Sequence, residues 1–160
     1  MTALLAVENL STHFFTRAGV LRAVDDVSFE VRAGEVVGLV GESGSGKSVT
    51  GFSIMGLVDP PGRIAGGRIL YRGRDLAALP AEEMRALRGA RIAMIFQDPM
   101  MTLNPVLSVG TQMVETVLAH CDVTRTEARA RARDALGMLG IPSPDERLDG
   151  YPHQFSDGMR

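Results

Sequence analysis

Hydrophobic and polar positions change their spacing several times along the chain, and each change marks an element. Residues 4–10 (LLAVENL) and 21–31 (LRAVDDVSFEV) alternate partly and carry β-branched residues, so both read as strands. RAG at 32–34 is a turn. EVVGLV at 35–40 is a short, nearly all-apolar run, the pattern of a strand buried on both faces. From Lys47 to Leu57 the period is helical, and DPPGR ends it. GGRILYRGRDL predicts another strand and turn. PAEEMRALR, with Pro80 and two early acids, predicts a helix start. RIAMIF at 91–96 predicts a second buried strand.

Beyond this point the pattern turns helical. QDPMMTLNPVLS at 97–108 reads as a loop, and VGTQMVETVLAH as a helix. Residues 124–140 predict a stronger helix: Thr124 and Glu127 make a capping box and Gly140 stops it. Ala128, Ala132, Leu136 and Leu139 fall on one face, with the arginines mostly on the other, a solvated face. Residues 141–160 read as loop with the start of a helix. Strands, a glycine loop with its helix, more strands and a helical segment make an α/β layout with a helical subdomain.

Composition narrows the partners. A formal net charge of -2 and a pI near 5.9 argue against nucleic acid and against polybasic membrane binding. The one cysteine, Cys121, has no disulfide partner in the chain and no zinc-ligand pattern around it. The opening MTALLAVENLSTHFF lacks a charged leader and places Glu8 in its apolar run, so no signal peptide is expected. No apolar run approaches the ~20 residues of a spanning helix. Action at a membrane would require a partner to hold the chain there.

The sharpest chemistry is GESGSGKS, Gly41 to Ser48, which fits G-x-x-x-x-G-K-[ST] between a predicted strand and a predicted helix. A phosphate chain must be wrapped by backbone N–H groups. Gly41, Gly44 and Gly46 keep that backbone bare and free to adopt unusual dihedrals. The helix that follows aims its positive end at the anion. Lys47 adds a point charge, and Ser48 offers a hydroxyl to Mg²⁺. Glu42, Ser43, Ser45 and Val49 complete the nucleotide-contacting stretch. The loop alone does not choose among kinases, GTPases, helicases and transporter ATPases.

A second candidate is Gln97, delivered by the predicted strand 91–96 into a proline-bounded loop. Its amide can ligate Mg²⁺ or orient a water, although a glutamine at a strand–loop junction is often a turn residue only.

GEVVGLVGESGSGKSVT, IAMIFQDPMMTLNP and YPHQFSDGMR together resemble the ATP-binding subunits of ABC transporters, in particular the oligopeptide/dipeptide importer group. FQDP followed by LNP is the most selective of these phrases, and the likeness runs over the whole chain. The resemblance implies a P-loop NTPase core with an antiparallel β subdomain and a helical subdomain, truncated before the catalytic strand. Residues 1–97 would hold the nucleotide-binding core and β subdomain. Residues 98–160 would hold the Q-loop, helical subdomain and signature segment. It implies ATP and Mg²⁺ as ligands, with Gln97 as the Q-loop residue on the metal. Phe14 or Phe15 would stack on adenine, or either would serve core packing only. Ser156 and Gly158 would contact the γ-phosphate held by a second ATPase subunit in a head-to-tail dimer. Transmembrane permease subunits would be the partners, an external solute-binding protein an indirect one, and the cytoplasmic face of the membrane the location.

Two departures from the family pattern stand out. Asp157 occupies the place of the first signature glycine. That implies like-charge repulsion against the γ-phosphate and weaker closure of the dimer, unless the codon is misread. Within 1–160 no apolar run ends in Asp-Glu, and His13, His120 and His153 all precede the expected position of a switch histidine. The resemblance therefore implies an N-terminal fragment of a longer ATPase, marginally stable and prone to aggregate. Two alternatives remain from other classes: a non-hydrolysing nucleotide-binding module, and a small P-loop kinase, in which FQDPMMTLNP would have no role.

Overall fold

The computed structural model describes residues 3–97 and 102–156. The chain forms two compact units, Met1–Met94 and Ile95–Arg160.

The first unit is built on a four-stranded antiparallel sheet of order β2-β1-β3-β4. Strands β1 (Leu5–Thr16) and β2 (Gly19–Val31) are longer than their alternation predicts. They join through a tight turn at Arg17 and Ala18, where the Thr16 hydroxyl donates to the Gly19 carbonyl at 2.9 Å. Strand β3 (Gly62–Tyr71) pairs along the other edge of β1, and the short β4 (Arg74–Asp75) closes the sheet.

The sheet is bent where its register slips. The shifts on β1 fall between Val7 and His13. Asn9 and Asp26 there take positive φ angles of 48° and 54°. Asn9 Nδ2 donates to Asp26 Oδ1 at 2.7 Å, and the Asp26 N–H donates to Ser11 Oγ at 3.1 Å. On β3, Gly67 has φ +85°, and a β-carbon there would lie 2.4 Å from the Asn9 carbonyl oxygen. One bulge thus runs through three strands and needs a bare residue at its tightest point.

Helix α1 (Lys47–Met55) lies on this sheet, and α2 (Ala81–Leu87) follows β4 after a short turn, Leu76–Ala78. Val7, Leu10, Val24, Ile69, Leu76 and Met84 form the buried core, with Val49, Ile54, Leu79 and Leu87 packed against it. Burying a residue such as Leu10 or Ile69 stabilises the fold by about 1.5–3 kcal/mol. Thr12 and Ser53 are buried as well, their hydroxyls 2.7 Å apart, which joins β1 to α1.

Two expected strands do not form. Residues 35–40 and 91–96 have no strand partner among the described residues, apart from a single bridge between Arg88 and Ile92. Several of their apolar side chains face solvent, with Val36 97% exposed, Val40 90% and Ile95 98%, although Ile92 packs on the core. The apolar pattern is that of a strand interior, but a strand exists only when a neighbour accepts its backbone hydrogen bonds.

The second unit is helical. Helix α3 (Val109–His120) matches its predicted bounds, and the Ser108 hydroxyl accepts the Thr111 N–H at its start. Helix α4 (Arg125–Met138) opens with the predicted capping box of Thr124 and Glu127. Helix α5 (Pro144–Asp149) and a single turn at Pro152–Gln154 follow. Ala132, Leu136 and Leu148 form the core here. Gly110 meets α5 so closely that a β-carbon would lie 2.6 Å from the Leu148 carbonyl. The arginines of α4 face solvent as expected. Leu139 departs from the expected apolar face and is 78% exposed. The helix has ended before it, and Gly140 at φ +73° turns the chain away.

Candidate functional site

Residues 41–46 form the turn that enters α1. Gly44 has φ +82° and Gly46 φ +91°, a region that side-chain-bearing residues rarely enter. Gly46 is also pressed against β2, where a β-carbon would come within 2.2 Å of the Ala23 carbonyl oxygen. At Gly41 a β-carbon would meet the Ser45 hydroxyl at 2.5 Å. The loop is therefore bare at Gly46 because of the neighbouring strand, at Gly41 because of Ser45, and at Gly44 because of its dihedral alone.

Gly46 is the N-cap of α1 and offers no side-chain cap. The first intrahelical bond runs from the Thr50 N–H to the Gly46 carbonyl at 2.8 Å. The N–H groups of Lys47, Ser48 and Val49 precede it, so they have no acceptor within the helix and point out of its positive end. Lys47 Nζ curls back to donate to the carbonyls of Gly41 (2.7 Å) and Glu42 (2.6 Å) and lies 3.3 Å from Ser45 Oγ. No carboxylate forms an ion pair with Lys47 among the described residues. Ser48 is exposed on the first turn, while Val49 packs on the core and anchors the helix.

A cavity of about 480 Å³ opens beside this loop, lined by Ala23, Asp25, Leu39, Val40, Gly41 and Lys47 among others. Bare backbone, uncapped N–H groups and an ammonium without a carboxylate partner suit a polyanion such as a phosphate chain. An exposed serine hydroxyl at the loop's end suits a hard cation such as Mg²⁺.

Phe14 and Phe15 are not among the residues of this lining. Phe14 is seated against Gly62, where a β-carbon would meet its ring at 2.6 Å. Phe15 carries the Arg63 guanidinium 4.1 Å above its ring. Gln97 is exposed and belongs to the second unit, as does the exposed Ser156. Asp157 and Gly158, with the reading of weakened closure, lie outside the described residues, as does 98–101 of the Gln97 loop. The loop's later part is tied to α3, with Gln112 accepting from the Asn104 N–H at 2.9 Å and donating to the Asn104 carbonyl at 3.0 Å.

Sequence reasoning missed Arg88, whose guanidinium donates to the carbonyls of Met55 and Gly56 at the far end of α1. No local pattern marks it, because its partners lie more than thirty residues earlier.

Comparison with known proteins places these features in a family. The ABC transporter family profile matches residues 24–160. The chain is 51% identical over 157 residues to the dipeptide transport ATP-binding protein DppD of Escherichia coli (strain K12), covering 98% of this chain and 48% of that protein. It is 45% identical over 161 residues to the oligopeptide transport ATP-binding protein OppD of Bacillus subtilis (strain 168), covering 100% of this chain and 45% of that one. The chain thus spans about half the length of the curated relatives it matches. The fold matches the dimeric structure of MJ0796, a bacterial ABC transporter cassette, with a TM-score of 0.81 at 22% identity, over 97% of this chain and 64% of that one.

Proposed function

This chain belongs to the ABC transporter family, and from that premise we propose that it is the nucleotide-binding part of an ATPase subunit that powers import of peptides or similar solutes. The observation that carries the proposal is the loop 41–48: bare at its curve, without a side-chain cap at the helix, and holding an ammonium with no carboxylate partner among the described residues. Likeness to dipeptide- and oligopeptide-transport ATP-binding proteins supports peptides as the cargo.

In this reading the backbone N–H groups of residues 44–49 wrap the phosphates of ATP, and Lys47 exchanges its carbonyl partners for phosphate oxygens. Releasing two carbonyls costs less than pairing the ammonium with a multiply charged anion returns, because charge-assisted bonds to an anion are the stronger. Ser48, and Gln97 as the Q-loop residue the resemblance implies, would hold Mg²⁺, which would supply Lewis-acid neutralisation of phosphate charge. Phe14 or Phe15 stacks on adenine. Ser156 and Gly158 act on the nucleotide of a second subunit in a head-to-tail dimer. Residues 1–97 are the nucleotide-binding core with its β subdomain, and 98–160 the Q-loop, helical subdomain and signature segment. The compact units, which meet at Met94 and Ile95, support that division. Among the described residues no helix is long and apolar enough to cross a membrane. In this proposal, permease subunits hold the protein at the cytoplasmic face of the membrane, and an external solute-binding protein delivers the cargo to them.

Calorimetric titration with MgATP tests the central claim. Lys47→Ala is expected to weaken binding by roughly tenfold or more, the scale of one charge-assisted contact. Undiminished affinity would overturn the phosphate-loop assignment.

A further inference from the structure

Helix α1 presents its phosphate-facing end at Lys47 and its opposite end at Met55, and the opposite end is held by a residue from elsewhere in the chain. The Gly56 N–H donates to the Ser53 carbonyl (3.1 Å) and the Leu57 N–H to the Phe52 carbonyl (2.8 Å), which closes two of the terminal carbonyls by backbone alone. The carbonyls of Met55, the last helical residue, and of Gly56, just past it, are both taken by one guanidinium. Arg88 Nε donates to the Met55 carbonyl at 2.7 Å and Arg88 Nη2 to the Gly56 carbonyl at 2.7 Å. The last turn of α1 has no basic residue of its own, so Arg88 supplies the cation that the negative end of the helix favours.

Both sides of this contact are rigidly set. Arg88 is the C-cap of α2, and its N–H donates to the Met84 carbonyl at 3.1 Å. The N–H groups of Arg91 and Ile92 both return to the Leu87 carbonyl, at 2.9 and 3.1 Å, and the Gly89 N–H donates to the Ile92 carbonyl at 2.9 Å. Arg88 therefore stands at the head of a closed turn that leads directly into the segment ending at Gln97. On the other side, Gly56 has φ +62°, and a β-carbon there would lie 2.9 Å from Arg88 Nη2. A side chain at Gly56 would be strained by that dihedral and would displace the Arg88 guanidinium.

We propose that Arg88 is a positioning residue for nucleotide binding: by holding the Met55 and Gly56 carbonyls it fixes where α1 lies along its axis, and so where the N–H groups of its first turn meet the phosphates. The proposal rests on the phosphate-loop reading above. Nine residues of helix form a rod too short to bend, so a shift at Met55 arrives at Lys47 undiminished. The planar fork of an arginine reaches two carbonyls at once with fixed geometry, which a lysine ammonium does not reproduce.

The test measures dissociation constants for a fluorescent ATP analogue with Mg²⁺ in the intact protein, at a temperature where circular dichroism shows each variant folded. Arg88→Met is expected to weaken binding by roughly tenfold, the scale of a lost charge-assisted contact, with Arg88→Lys intermediate and Gly56→Ala weakened in the same direction. A purely structural role would lower melting temperatures and leave the dissociation constant of folded protein unchanged, and that result for Arg88→Met would overturn the proposal. Should Arg88→Met fail to fold, Arg88→Lys carries the test, and wild-type affinity in that variant overturns it. Lys47→Ala runs alongside. Weak binding there with wild-type affinity in the Arg88 variants defeats this inference alone, whereas wild-type affinity in Lys47→Ala defeats the phosphate-loop reading beneath it.

Discussion

The α-carbon of Gly46 lies against the Ala23 carbonyl of β2, so close that a β-carbon would sit 2.2 Å from that oxygen. The loop before α1 is shaped by this contact as much as by its own sequence. Gly46→Ala must relieve the clash by moving backbone, and it also forces a side-chain residue to φ +91°. The dihedral alone costs about 1–3 kcal/mol. We expect a lower melting temperature and at least tenfold weaker MgATP binding. Gly44→Ala has open space at its β-carbon, so it should suffer the dihedral strain without the clash and lose less stability. Thermal melts of the two variants side by side check this order.

The buried hydroxyls of Thr12 and Ser53 are not equivalent. Ser53 donates its proton to the Val49 carbonyl at 2.7 Å, which leaves Thr12 as the donor across the 2.7 Å contact between them. Ser53→Ala therefore strands the Thr12 proton in the core and should cost about 1–3 kcal/mol. Thr12→Val removes the donor and leaves Ser53 satisfied, so it should cost less. Adding Thr12→Val to Ser53→Ala should restore part of the loss. Urea unfolding of the two single variants and the double variant gives the comparison.

Glu127 caps α4 as a charged acceptor. Hydrogen bonds from the Thr124 backbone N–H and the Thr124 hydroxyl hold its carboxyl below its ordinary 4.5. A lowered folded value means the stabilisation is present above the ordinary carboxylate range and is lost as pH falls through that range toward the folded value. The melting temperature should therefore drop on acidification with a component that Glu127→Gln removes. Equal pH profiles for wild type and variant would contradict the assignment.

Val36 and Val40 present apolar surface to water, at 97% and 90% exposure, on backbone with no strand partner among the described residues. Unpaired apolar backbone is a template for pairing with another chain. The 160-residue chain in isolation should self-associate as its concentration rises. Val36→Lys should reduce that association, measured by static light scattering. A monodisperse monomer across the concentration range would count against this.

Local signals were enough for much of this protein. The helix at 109–120 follows from its apolar period, and the one after Thr124 from a capping box whose partners are three residues apart. Gly140 marks the end of that helix, and the glycines between Gly41 and Ser48 announce a tight turn that enters a helix. In the helices the interacting groups are near neighbours in the chain, so the pattern carries the geometry; for Gly41 to Ser48 the spacing carries only the proposal that Lys47→Ala tests. Tertiary structure decided the rest. The bulge through Asn9, Asp26 and Gly67, the seating of Gly46 on Ala23 and the grip of Arg88 on Met55 and Gly56 all join residues far apart in sequence, and no period records them. Residues 35–40 and 91–96 make the same point from the other side. Their apolar runs state that they belong in an interior, but a strand is a relation between two backbones, and its existence depends on where the neighbour lies.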